Sequence, residues 1–139
     1  YGLTEAYRCE DAELIVVSSG SMVGTLRGVV DDYRDHGERI GLLKIRYLRP
    51  FPVEEVRRAL KPAERIAVVD RNVSMGMGGV FWQEVRSAMY GSEVAEKPVL
   101  GFIAGLGGRD VTPSTFDEII TIARTEPRQD VPIWIGLKE

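Results

Sequence analysis

At 139 residues and 44% hydrophobic, the chain can bury one sizeable core and has no room for a second domain. A net charge of −3, with 28% charged residues of both signs interspersed, supplies no basic stripe for counterion release and excludes nucleic acid as a partner. A single cysteine, Cys9, and a single histidine, His36, exclude a disulfide framework and a Cys/His metal cluster within the chain.

The opening stretch YGLTEAYRCEDAE is polar and acidic where a secretion signal needs an apolar middle. No apolar run approaches the ~20 residues that cross a bilayer. The expectations are therefore no membrane partner and a cytoplasmic location. A start at Tyr1 without methionine, in a segment with no core pattern of its own, reads as a cut inside a longer polypeptide. Residues 1–12 are expected to be a linker or edge segment from a preceding domain, 13–130 the domain itself, and 131–139 a tail.

ELIVV from Glu13 to Val17 reads as the first buried strand, near-continuous and β-branched as in a sheet covered on both faces. Met22, Val23, Leu26, Val29, Val30 and Tyr33 then recur at the spacing of one helix face, and Gly37 supplies the stop. IGLLKI, from Ile40 to Ile45, is the second strand. FPVEEVRRAL follows as a short helix, with Pro52 in its first turn, Glu54 and Glu55 at the positive end, Arg57 and Arg58 at the other, and Pro62 beyond. RIAVV, from Arg65 to Val69, is the third strand. Val80, Phe81, Glu84, Val85, Ala88 and Met89 predict a helix that ends at Gly91. VLGFIAG, Val99 to Gly105, is the fourth strand. The last helix has Thr112 or Ser114 as cap, Pro113 near its start, and Phe116, Ile119, Ile120 and Ala123 inward. VPIWIGLKE is too short to fold alone and is expected to pack on something. This alternation predicts a three-layer α/β/α domain around a mostly parallel sheet of about five strands.

Glycines after strands can bring backbone N–H groups to an anion at a helix start. Gly76, Gly78 and Gly79 follow one strand, and Gly105, Gly107 and Gly108 another, but neither set matches a dinucleotide or Walker fingerprint. The turn reading, with close backbone packing, is preferred for both. No serine has a local histidine and acid context, so no catalytic set and no metal site are assigned. Charged and polar residues in the strand-end loops, where open α/β sheets place ligands, are the remaining candidates: Gly20, Ser21, Arg71, Asn72, Gly107, Gly108, Arg109 and Asp110. They serve either as contacts to neighbouring domains or as an anion site.

The segments DRNVSMGMGGVFWQEVRSAMYG and GLGGRDVT, with the opening YGLTEAYRCEDAE, RPFP at Arg49 to Pro52 and the tail IWIGLKE, resemble the C-terminal domain of the α subunit or α region of the 2-oxoacid:ferredoxin oxidoreductases, the pyruvate enzyme above all. The resemblance covers almost the whole chain. It implies a fold like the transketolase C-terminal domain, with the first of the four strands lying between the second and third and a short antiparallel edge strand from the segment before Asp11. It also implies an accessory domain of an enzyme that oxidatively decarboxylates a 2-oxoacid to acyl-CoA. Such enzymes use thiamine diphosphate, Mg²⁺, iron–sulfur clusters and coenzyme A, and reduce ferredoxin. The chain lacks the cysteines for a cluster and the G-D-G start of a diphosphate motif, so no cofactor is expected on this domain alone, and the partners are the enzyme's other domains and subunits. The alternative is a free-standing module for a small anion, a nucleotide or coenzyme A.

Overall fold

The computed structural model describes residues 4–18, 22–45, 52–70, 73–74, 78–90, 97–104, 112–126 and 133–134. Its main sheet has the strand order β1 (Thr4–Tyr7), β3 (Ile40–Ile45), β2 (Leu14–Ser18), β4 (Arg65–Asp70), β7 (Val99–Ile103), β8 (Ile133–Trp134). All neighbours pair in parallel except β1, which runs antiparallel to β3. The strand predicted to lie centrally does so, and the edge strand before Asp11 is present. The sheet has six strands rather than about five because two residues of the tail add β8 beside β7. A separate two-stranded ribbon pairs β5 (Val73–Ser74) with β6 (Gly78–Gly79), which the sequence pattern does not announce.

Alternation along the strands sorts the core into two layers. Leu14 and Val16, Ala67 and Val69, and Leu100 and Phe102 face α1 (Met22–Asp35) and α4 (Pro113–Thr125), where Leu26, Val30, Phe116 and Ile119 are fully buried. Ile15 and Val17, Ile66 and Val68, and Val99 face α2 (Val53–Leu60) and α3 (Val80–Met89), where Val56, Leu60, Trp82 and Val85 lie. Full burial of side chains of this size contributes about 1.5–3 kcal/mol each before ordering costs. The predicted inward faces of α1 and α4 hold: Val23, Leu26, Val29, Val30, Phe116, Ile119, Ile120 and Ala123 are all buried. On α3 the inward face is centred on Trp82, which the periodicity leaves out, while Glu84 is half-buried.

Helix ends follow local chemistry. Gly37, at φ +82°, ends α1 in a Schellman motif: Glu38 N–H donates to Tyr33 O and Gly37 N–H to Arg34 O, both at 3.0 Å. Pro52 stands at the cap of α2, one place ahead of its first turn. Thr112 caps α4, and Pro113 opens it. Arginines close the far ends, where unpaired carbonyls collect. Arg57 Nε donates to Ala88 O at 2.6 Å, and Arg65 Nε to Ala123 O at 2.5 Å.

Candidate functional site

The topology fixes where a site can form. From β2 the chain passes through α1 to β3 on one side, and from β4 through α3 to β7 on the other, with α1 and α3 on opposite faces of the sheet. The strand order therefore reverses between β2 and β4. The crevice outside their carboxyl ends is the switch point at which open α/β sheets receive ligands and partners. The described residues that border it are Ser18, Asp70 and Ala104.

Asp70 ties this edge together. Its side chain is 3% exposed, and its Oδ2 accepts the Trp82 backbone N–H at 3.1 Å in the first turn of α3. Gly79, the residue before α3, has no side chain with which to cap, so β4 supplies the carboxylate that the positive helix end attracts. The Asp70 carbonyl accepts Ala104 N–H at 2.9 Å, so one residue joins β4, the start of α3 and the segment leaving β7. Trp82 completes the join: its indole N–H donates to Val99 O at 3.1 Å, and its ring lies flat on Gly101. A β-carbon at Gly101 would sit 2.6 Å from Trp82 Cγ.

This arrangement decides the role of the glycine-rich segment as far as it is described. Gly78 and Gly79 pair with Ser74 and Val73 in the β5–β6 ribbon, and the first turn of α3 already holds its own chain's carboxylate. A turn that sets α3 against the sheet fits; a phosphate seat on the Trp82 N–H does not. The glycine that permits the closest approach is Gly101, inside a strand. Sequence reasoning gave the strand-end charges, Asp70 among them, the role of capping helices or bridging to a neighbouring domain, without saying which helix Asp70 caps, and it overlooked Trp82. The available signal was an acid ending a strand before a helix whose preceding residues are glycines and cannot cap it.

Ser18 continues the face of Leu14 and Val16 toward α1 and α4. It is fully buried, and its hydroxyl has no hydrogen-bond partner among the described residues. Gly20, Ser21, Arg71, Asn72, Gly107, Gly108, Arg109 and Asp110 lie outside the described residues, as do Gly76 and Arg49 to Phe51. In sequence the eight candidates follow β2, β4 and β7, parallel strands whose carboxyl ends lie on the same side of the sheet. Among the described residues no group of three or more His, Cys, Asp or Glu could hold a metal ion, and no helix is long and apolar enough to cross a membrane. Cys9 is buried, its thiol meets Leu42 O at 3.1 Å, and burial pushes its pKa up to about 11. His36 is exposed at the end of α1, and its contact with the Asp32 carbonyl raises its pKa.

The fold is shared with domains of a 2-oxoacid:ferredoxin oxidoreductase and of a transketolase. A 2-oxoglutarate:ferredoxin oxidoreductase from Magnetococcus marinus superposes with a TM-score of 0.63 over 87% of this chain and 19% of that one, at 17% identity. A split-gene transketolase in an inactive β4 tetramer gives 0.65 over 87% and 41%, at 15% identity. Sequence comparison is more specific: the family described as pyruvate:ferredoxin oxidoreductase core domain II matches residues 12–116, and the chain belongs to that family. Pyruvate synthase subunit PorA of Methanothermobacter thermautotrophicus is 48% identical over the whole chain, which covers 34% of that protein. PorA of Pyrococcus abyssi is 42% identical, again over the whole chain and 36% of the relative. Ketoisovalerate oxidoreductase subunit VorA of Pyrococcus horikoshii is 40% identical over 74% of the chain and 26% of that subunit. The chain thus spans about a third of the length of the PorA relatives.

Proposed function

We propose that the chain is an accessory domain of a thiamine-diphosphate-dependent pyruvate:ferredoxin oxidoreductase, working in the cytoplasm. It holds the other domains and subunits in place and brings none of the reacting groups. The observation that carries this reading is the 48% identity to a pyruvate synthase subunit over the full chain, on a domain that covers only 34% of that subunit. Thiamine diphosphate, Mg²⁺, the iron–sulfur clusters and coenzyme A would then be bound by polypeptide outside this chain, and ferredoxin would meet the whole enzyme. A chain with one cysteine cannot ligate a cluster, which takes four protein ligands. In this reading Gly20, Ser21, Arg71, Asn72 and Gly107 to Asp110 are contacts to neighbouring parts of the enzyme at the switch-point edge. Incubation of the 139-residue chain with pyruvate, coenzyme A, thiamine diphosphate, Mg²⁺ and a viologen dye should give no reduction, whereas the complete enzyme that carries it should turn over. Dye reduction by the chain alone would end this reading.

One observation favours a second reading. A buried hydroxyl without a partner costs about 1–3 kcal/mol, and Ser18 Oγ is such a group at the crevice. A small anion or coenzyme A seated there would supply the missing partner. Calorimetric titration with coenzyme A and adenine nucleotides separates the two: a specific site is weakened by Arg109→Ala, and no heat at millimolar ligand removes the second reading.

A further inference from the structure

Ser18 stands opposite Lys44 in the parallel β2–β3 pair, and residues that face each other on neighbouring strands project to the same side of a sheet. Lys44 continues Ile40 and Leu42 as Ser18 continues Leu14 and Val16, all four of them in the layer under α1 and α4. The two side chains are therefore adjacent, their Cα atoms one strand spacing, about 5 Å, apart. Lys44 is half-buried. Its neighbour on the other side is Glu5 of β1, whose carboxylate is engaged by Arg27 of α1 at 3.3 Å. That pair is neutral, and among the described residues no carboxylate pairs with Lys44. Arg27 Nε is itself buried without a partner among the described residues, so this corner holds more donors than acceptors. A right-handed β2–α1–β3 crossover lays α1 over the same two strands. Its first turn opens at their carboxyl ends, four positions after Ser18, with no acidic residue in it.

We propose that Ser18, Lys44 and the first turn of α1 seat the phosphate group of a small molecule. This site belongs to the second reading above and depends on it: Ser18 receives the anion, and Lys44 supplies its countercharge. Packing alone would be served as well by alanine at position 18, so the domain's own interior gives the buried hydroxyl no purpose. Three kinds of donor meet here from different directions: a hydroxyl from the sheet, an ammonium from the next strand, and the free backbone N–H groups of a helix start. A phosphate group presents three terminal oxygens in a tetrahedral spread that reaches all three, whereas a carboxylate presents two in one plane. A helix start also favours that charge. Bound there, the group would remove the cost of an unpaired hydroxyl in the core and compensate a lysine partly withdrawn from water.

The complete polypeptide, assembled with its partner subunits, is acylated with N-hydroxysuccinimidyl acetate at an ionic strength held constant by chloride, and each lysine is followed by peptide mass spectrometry. Inorganic phosphate at about ten times its half-protecting concentration should slow the acylation of Lys44 by about tenfold, as mass action requires. Lys61, exposed ahead of β4 at the opposite edge of the sheet, should react unchanged. Ser18→Ala should raise the half-protecting concentration by roughly tenfold or more, the loss expected for one hydrogen bond to a charged group. The same variant should melt no lower than the parent, because it removes a buried hydroxyl that has no partner. Coenzyme A and adenine nucleotides distinguish a phosphate carried on a larger molecule from free phosphate, and acetate should protect far less than either. Equal protection by acetate, protection that Ser18→Ala does not alter, or a Lys44 indifferent to every anion overturns the proposal. Protection by inorganic phosphate with no calorimetric heat from coenzyme A or adenine nucleotides removes those ligands and keeps the site. Heat from coenzyme A with Lys44 unprotected removes the site and keeps the second reading.

Discussion

At the scale of single residues, two glycines in strands do what the glycine-rich loop had been expected to do. Gly41 lets the turn after β1 cross β3: Arg8 adopts φ +57°, and a β-carbon at position 41 would also lie 3.1 Å from Cys9 Cα and Ala12 Cβ. Gly101 admits the Trp82 ring, whose polar end is satisfied by Val99 O. Because the indole is wedged between β7 and the rest of α3, Gly101→Ala forces it outward and should destabilise the chain by about 1–3 kcal/mol, the usual range for overpacking. Urea unfolding followed by tryptophan fluorescence measures this; an unchanged midpoint would show that the ring can shift freely. Cys9 illustrates the opposite case, a residue whose chemistry burial switches off. With its pKa near 11, only roughly one thiol in a thousand is ionised at pH 8, and the thiolate is the reactive form.

At the scale of elements, ends are set by a mixture of near and distant chemistry, and this governs what the sequence discloses. The stop at Gly37, the cap at Thr112 and the inward faces of α1 and α4 depend on residues within a turn or two, and all are legible. The start of α3 at Val80 is legible too, but the identity of its cap is not, because the carboxylate comes from Asp70, twelve positions before the Trp82 N–H that it accepts. Trp82 goes unnoticed for a related reason: its inward direction is defined by the gap at Gly101, which exists only once β7 and α3 meet. Asp70→Ala removes that cap and should cost about 1–2 kcal/mol of stability, while Asp70→Asn, still an acceptor, should lose less than half as much. Thermal melts of the two variants test the assignment, and equal losses would contradict it. His36 adds a small pH-dependent element. Its raised folded pKa means that its contribution is fully present below the ordinary value of 6.5 and disappears as pH rises through the folded value.

At the scale of the whole molecule, the parallel sheet, its central strand and its antiparallel edge follow from alternating apolar runs and helical faces together with the family resemblance. The candidate edge is legible only as a set of segments after β2, β4 and β7; which side chains meet there depends on contacts that no local pattern encodes. The tail is where the two levels part. Ile133, Trp134 and Ile135 read equally as a surface for a partner or as a cover for the edge of the chain's own sheet, and the backbone of Ile133–Trp134 pairs with Phe102 and Ile103 as the last strand of that sheet. Without β8, β7 would become the edge: five residues, all buried, Val99 to Ile103. A bare apolar edge invites pairing with another chain. Removal of residues 131–139 is therefore expected to act on the domain itself and not on assembly alone. Losing about two ladder hydrogen bonds should cost about 2 kcal/mol, which at this size lowers Tm by about 5–10 °C. The exposed edge should also produce dimers or larger species at concentrations where the intact chain is monodisperse. Calorimetry and light scattering on the truncated chain measure both effects. A melting curve and size unchanged by the deletion would assign the tail to contacts with other parts of the enzyme, and would leave β7 shielded by something other than β8.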